Sequence, residues 1–249
     1  MPLATRIIPI LLKRGDALVK GTHFNSSRIV GHALQAAKIH QARGVDELVI
    51  IDVGATLDGR GPDCKAVEKL TKDCFVPLTI GGGVRSVQDV RDLMNAGADK
   101  ILLETAWMMN PDLLWELSGK FGSQAIVVSL SVKQWLTTSH CGTVPHTRHV
   151  LDVAHDAVMA GAGELLLQDI ERDGLLRGYN TELIDVVSRS VSVPVIASCG
   201  CGSYQDMRDA ISAGASAVAA GSMFLFNDLT PLGAAQYLSG QGVEVRIPA

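Results

Sequence analysis

A closed (β/α)8 TIM barrel of the α/β class, built from two homologous half-barrels, is the fold this sequence predicts. Three observations predict it. The chain has 249 residues, the usual size of one such barrel. Short apolar, β-rich runs alternate along it with helix-like segments. It also nearly repeats itself: Val76-Pro77-Leu78-Thr79-Ile80-Gly81-Gly82-Gly83 returns as Val193-Pro194-Val195-Ile196-Ala197-Ser198-Cys199-Gly200. The register then holds, for Gly83 and Gly200 lie as far apart as Thr105 and Ser222, 117 residues in each case (200 − 83 and 222 − 105). A constant offset means two structurally equivalent halves. A duplication of half the chain favours a closed barrel over an open, doubly wound sheet.

The strands follow in order. Arg6 to Leu12, Glu47 to Val53, Val76 to Ile80 and Lys100 to Leu103 make the first half. Ala125 to Leu130, Glu164 to Asp169, Pro194 to Ala197 and Ala217 to Ala220 make the second. All are apolar on both faces, as strands covered on both sides of a parallel sheet must be. Between them, Ser86 to Ala96 and Ser203 to Ala213 each open on a serine that can cap a helix and stop before a glycine. Right-handed crossovers then close the ring. Residues 6–226 are assigned to the barrel and 227–249 to a C-terminal helix and tail.

Composition narrows the function classes. Hydrophobic residues are 47% and charged residues 19%, the balance of a globular chain. A net charge of −4 argues against a protein that grips nucleic acid. No run reaches the roughly 18 apolar residues of a membrane span, and the N-terminal apolar patch is interrupted too early by charge to be a signal peptide. A cytoplasmic location is expected. The five cysteines include no CxxC pair, so reduced thiols are expected, with Cys199 and Cys201 as small residues in a tight turn. His140, His146 and His149 fall in the loop after the fifth strand without the spacing of metal ligands. No metal and no cofactor is expected.

In a barrel of this kind the working face lies at the C-terminal ends of the strands. There Gly81-Gly82-Gly83 precedes a helix, so backbone N–H groups and a helix dipole can face an anion. Thr105 adds a hydroxyl from the next strand end. Gly200, Gly202 and Ser222 repeat the arrangement. The chain should therefore bind a phosphorylated small molecule with two anionic ends. Asp52, Asp169, Glu171 and Asp173 are further carboxylates at this face, of which Asp169 and Glu171 read as solvated rim residues.

These features carry a resemblance. Arg6-Ile7-Ile8-Pro9, Val19-Lys20-Gly21, Asp46-Glu47-Leu48, the triple glycine, Arg85-Ser86, Phe121-Gly122-Ser123-Gln124, Arg172-Asp173-Gly174, Gly178-Tyr179 and Pro194-Val195-Ile196-Ala197-Ser198 make the chain similar to the cyclase subunit of imidazole glycerol phosphate synthase. The resemblance implies phosphate contacts at Gly82, Gly83, Thr105, Asp173, Gly174, Gly200, Gly221 and Ser222. It implies an ammonia gate at the barrel floor from Arg6, Glu47, Lys100 and Glu164, and a glutaminase partner that supplies the ammonia. It also implies two acid–base aspartates, ending the first and fifth strands.

Leu12 and Ser131 occupy those two places, so no intact catalytic pair is expected. Each positioned acid or base is worth about 10² to 10⁴ in rate. Glu104 departs as well, since the family has Asn before the threonine there, and a carboxylate beside a phosphate is repulsive unless neutralised. The reading that follows is an accessory barrel, resembling paralogues tied to amidation of surface-polysaccharide sugars. It would relay ammonia to a third, sugar-amidating protein. The alternative is a cyclase of histidine biosynthesis, a lyase acting on a bisphosphate.

Overall fold

Eight parallel strands close on themselves in the computed structural model, which describes residues 4–247. They are β1 (Arg6–Arg14), β4 (Leu48–Asp52), β5 (Leu78–Gly81), β6 (Lys100–Leu103), β7 (Ile126–Lys133), β10 (Glu164–Asp169), β11 (Val195–Ser198) and β12 (Ala217–Ala220). Each pairs in parallel with the next, and the ring closes where β12 pairs with β1 and β10 with β7. The expected strands all form, with ends displaced by a residue or a few.

The helices cover the outside: α1 (Ala33–Ala42), α2 (Cys64–Thr71), α3 (Val87–Asn95), α4 (Thr105–Met109), α5 (Pro111–Phe121), α6 (Val150–Met159), α7 (Thr181–Ser190), α8 (Tyr204–Ser212), α9 (Ser222–Phe226) and α10 (Pro231–Gly240). Two hydrophobic clusters result. A large one, including Leu48, Leu93, Ile101, Leu114 and Val187, fills the space between sheet and helices. A small one inside the barrel joins Ile8, Ile10, Val49, Leu102, Val127, Leu166, Ile196, Ala217 and Ala219.

The repeat survives in atomic detail. Ser86 caps α3 and Ser203 caps α8, each in a full capping box with Asp89 or Asp206 three residues on. Asp89 Oδ2 also accepts from Arg85 N at 2.9 Å, as Asp206 Oδ2 does from Gly202 N at 2.8 Å. These caps fix the start of each helix below its glycine turn.

Two antiparallel hairpins were not foreseen. β2 (Ala17–Thr22) and β3 (Asn25–His32) follow β1, while β8 (Leu136–Ser139) and β9 (Val144–His149) follow β7. The segment holding His140, His146 and His149 is thus not a loop but one of these hairpins. Its polar pattern comes from an upright ribbon rather than a strand buried on both faces. No helix among the described residues is long and apolar enough to cross a membrane. Residues 248 and 249, the end of the expected tail, lie outside the described residues.

Candidate active site at the barrel mouth

A cavity of about 470 Å3 opens at the C-terminal ends of the strands. Gly82, Gly83, Thr105, Asp173, Gly174, Gly200, Gly221 and Ser222 all line it, and so does Leu12. Sequence-distant turns are brought together because β5 and β6 are neighbours in one half, and β11 and β12 in the other.

The first glycine turn follows β5. Gly82 has φ +105°, and a Cβ there would lie 2.3 Å from the Asp52 carbonyl oxygen. Only glycine lets the two backbones approach this closely. Asp52 is buried and organises the neighbouring loop. Its Oδ1 accepts from Gly54 N at 3.1 Å and Ala55 N at 3.2 Å, and Lys13 and Arg60 neutralise it. It lines the cavity too, but its carboxylate is engaged in structure.

The second turn sits beside Lys20, a residue of the unforeseen β2. Lys20 is buried, and a Cβ on Gly221 would fall 2.1 Å from its Nζ. Burial lowers the Lys20 pKa, and Asp173 and Cys199 pull the other way. An ammonium group withdrawn from water beside a glycine turn is well placed to meet an anion. Only the Val19-Lys20-Gly21 motif could have flagged it, for nothing in the local pattern shows that it reaches the mouth.

The hairpin tips lean over the cavity and repeat each other at the same offset. His23 and Phe24 have φ of 51° and 63°, and His140 and Cys141 have 52° and 56°. Phe24 N donates to Asp173 Oδ2 at 3.0 Å, and Cys141 N donates to Glu104 Oε2 at 3.4 Å. His140 N donates to Thr105 Oγ1 at 2.9 Å. A carboxyl group thus latches each hairpin. Asp173, expected at the phosphate, spends one oxygen on this latch.

Glu104 and Ser131 change the picture drawn from the strand ends. Ser131 is 1% exposed and does not line the cavity, whereas Glu104 does. The Ser131 hydroxyl donates to Glu104 Oε1. Withdrawal from water pushes the Glu104 pKa up, although the bonds from Ser131, Cys141 N and Thr105 oppose this. A carboxyl group therefore projects into the mouth from β6, the group that the sequence gives only as a repulsive neighbour of phosphate.

Other expectations need correcting. Asp169 is 7% exposed and not a solvated rim residue, because its Oδ2 accepts from Asn180 Nδ2 at 2.7 Å and its Oδ1 from Glu171 N at 2.9 Å. Glu171 is exposed. The Cys141 thiol is pushed up to about 12 and that of Cys199 is raised too, chiefly by burial. Among the described residues no three His, Cys, Asp or Glu side chains converge as metal ligands would.

At the opposite end, the four floor residues form a closed ring. Arg6 bonds Glu47 at 2.8 Å and Glu164 at 3.0 Å, and Lys100 bonds both at 3.0 Å. Thr79 Oγ1 donates to Glu47 Oε1 at 2.6 Å. Burial would lower the Arg6 pKa, but Glu164 and Glu47 outweigh it and leave it raised. The apolar cluster inside the barrel, with small Ala217 and Ala219, lies between this ring and the mouth.

Comparison with known proteins places these features in context. The family model described as "Histidine biosynthesis protein" matches residues 6–230. The imidazole glycerol phosphate synthase subunit HisF of Dictyoglomus thermophilum is 40% identical over 98% of this chain and 99% of its own length. The subunit of the same name from Corynebacterium diphtheriae is 38% identical over 99% of this chain and 100% of its own.

Proposed function

The chain belongs to the histidine biosynthesis protein family, in its HisF-like branch, and we propose that it works as the ammonia-using cyclase barrel of an imidazole glycerol phosphate synthase. In this reading a glutaminase subunit docks at the floor and ammonia passes the ring of Arg6, Glu47, Lys100 and Glu164. The uncharged interior lets a neutral molecule travel upward, whereas an ammonium ion would pay a desolvation cost of several kcal/mol. A ligand with two phosphates spans the mouth, one end on Gly82, Gly83 and Thr105, the other on Gly200, Gly221, Ser222 and Lys20. Asp173 and Gly174 close over its middle.

The observation that carries this reading is Glu104 in the mouth. A relay without chemistry of its own needs no buried carboxyl group without a cation at the mouth, and the mouth has one. A second reading keeps one observation of its own: Leu12, which carries no exchangeable proton, lines the cavity two residues before the end of β1. It favours the accessory barrel that passes ammonia to a sugar-amidating protein.

One experiment separates the two. The chain is given the bisphosphate substrate of imidazole glycerol phosphate synthase and an ammonium salt, and substrate loss and product formation are followed. The cyclase reading expects ammonium-dependent turnover. Tight binding of the bisphosphate without turnover would overturn it and leave the relay.

A further inference from the structure

We propose that Glu104 is the residue that exchanges protons with the ligand in the mouth, with Ser131 behind it as its positioning residue. This rests on the reading that the mouth does chemistry of its own.

Of the other titratable groups around the cavity, most are already committed, and His23 and Arg14 are exposed to solvent. Asp52 is neutralised by Lys13 and Arg60 and holds two backbone N–H groups. Asp173 latches the first hairpin through Phe24 N. Lys20 stands at the second anion turn. The thiols of Cys141 and Cys199 are too weakly acidic, both raised by burial. Of the lining carboxyl groups, Asp52 has Lys13 and Arg60 and Asp173 has Lys20, whereas Glu104 meets only the Ser131 hydroxyl, the Cys141 N–H and Thr105. No cation pairs with it among the described residues, although its neighbour Thr105 lines the first anion turn.

Withdrawal from water favours the protonated carboxyl there, against the bonds from Ser131, Cys141 N and Thr105. A carboxylate next to a ligand phosphate would be repelled, with neutral hydrogen-bond donors but no cation beside it. An acid can instead give its proton to a ligand atom, and this is the proton balance of the step. The ligand gains H⁺, and Glu104 becomes a carboxylate that accepts from the Ser131 Oγ–H and Cys141 N–H already aimed at it. The same proton returns when the ligand next releases one. Ser131 supplies a hydrogen bond that strengthens as charge develops on Glu104, which lowers the cost of the transfer.

The test uses the intact chain with the bisphosphate substrate, at constant free ammonia across pH. Glu104→Gln keeps the size and an acceptor for Cys141 N, so folding and substrate KM should change little. The expected result is a fall in kcat of about 10² to 10⁴ and loss of the alkaline limb of the pH–rate profile. Ser131→Ala removes a bond to the charged form, so that limb should move to higher pH while activity persists. If Glu104→Gln stays within tenfold of the unaltered chain, or keeps the limb, the assignment of Glu104 is overturned and the cyclase reading stands. If the unaltered chain itself fails to turn over, both fall, and Glu104 is a latch for the hairpin.

Discussion

Residues 82 and 199 hold the same place in the two halves, yet one is glycine and the other cysteine. Cys199 has φ 73°, a left-handed conformation that costs a side-chain-bearing residue of order 1 kcal/mol or more. At Gly82 the obstacle is backbone, so Gly82→Ala should destabilise the fold by about 1 to 3 kcal/mol. Gly221→Ala meets the end of the Lys20 side chain first, with the Ile10 carbonyl oxygen at a looser 3.1 Å. It should leave the denaturation midpoint nearly unchanged and weaken phosphate-ligand binding, as calorimetry would show. His40 gives a pH prediction. Burial lowers its pKa from 6.5 to about 4, with Arg43 adding to the effect, and its Nδ1 has no partner among the described residues. The unfolded chain therefore binds the extra proton between those values. Stability should fall by up to about 3 kcal/mol as pH drops from 6.5 to 4, and His40→Leu should remove that part of the slope in urea titrations. At this scale the glycines and the floor charges were legible as residue types. Glu104 was legible only as a misfit, because its value lies in which neighbours its carboxyl group meets, and sequence order hides that Ser131 and Cys141 are those neighbours.

The barrel strands and the capped helices could be read because their signals are local. Two-sided apolar runs mark the strands, and a capping serine before with a glycine after marks α3 and α8. Ser86→Ala and Ser203→Ala should each cost about 1 kcal/mol. They should add in the double variant, since they cap different helices in different halves. The two hairpins escaped because their turns lack the usual chemistry. Short hairpin turns favour Asn-Gly or Asp-Gly where φ is positive. Here His23-Phe24, Gln134-Trp135 and His140-Cys141 take those conformations. The ribbons are also mostly polar on one side, so they read as loop. Their tips depend on outside partners, Asp173 for one and Glu104 with Thr105 for the other. A tertiary bond thus fixes what local sequence leaves open, and both hairpins end up bordering the site.

At the scale of the whole molecule, an apolar barrel interior lies between a charged floor ring and a mouth lined by Asp52, Glu104 and Asp173. The floor ring holds two cations and two carboxylates in mutual contact. Glu47→Gln would leave Arg6 and Lys100 facing Glu164 alone. A loss of about 2 to 4 kcal/mol is expected, below that of a fully buried pair because both cations reach solvent. With a glutaminase bound, the same change should uncouple glutamine use from product more than it alters turnover with free ammonium. At the mouth, Leu12→Asp tests the other departure. Adding an acid near the end of β1 should raise ammonium-dependent turnover by about 10² if the anion turns hold the ligand in register. The most direct test of the central claim is product formation by the unaltered chain, alone, from the synthase bisphosphate and ammonium salt. Turnover that depends on ammonium and disappears in Glu104→Gln is the predicted result. A bisphosphate that binds and is never converted would contradict it.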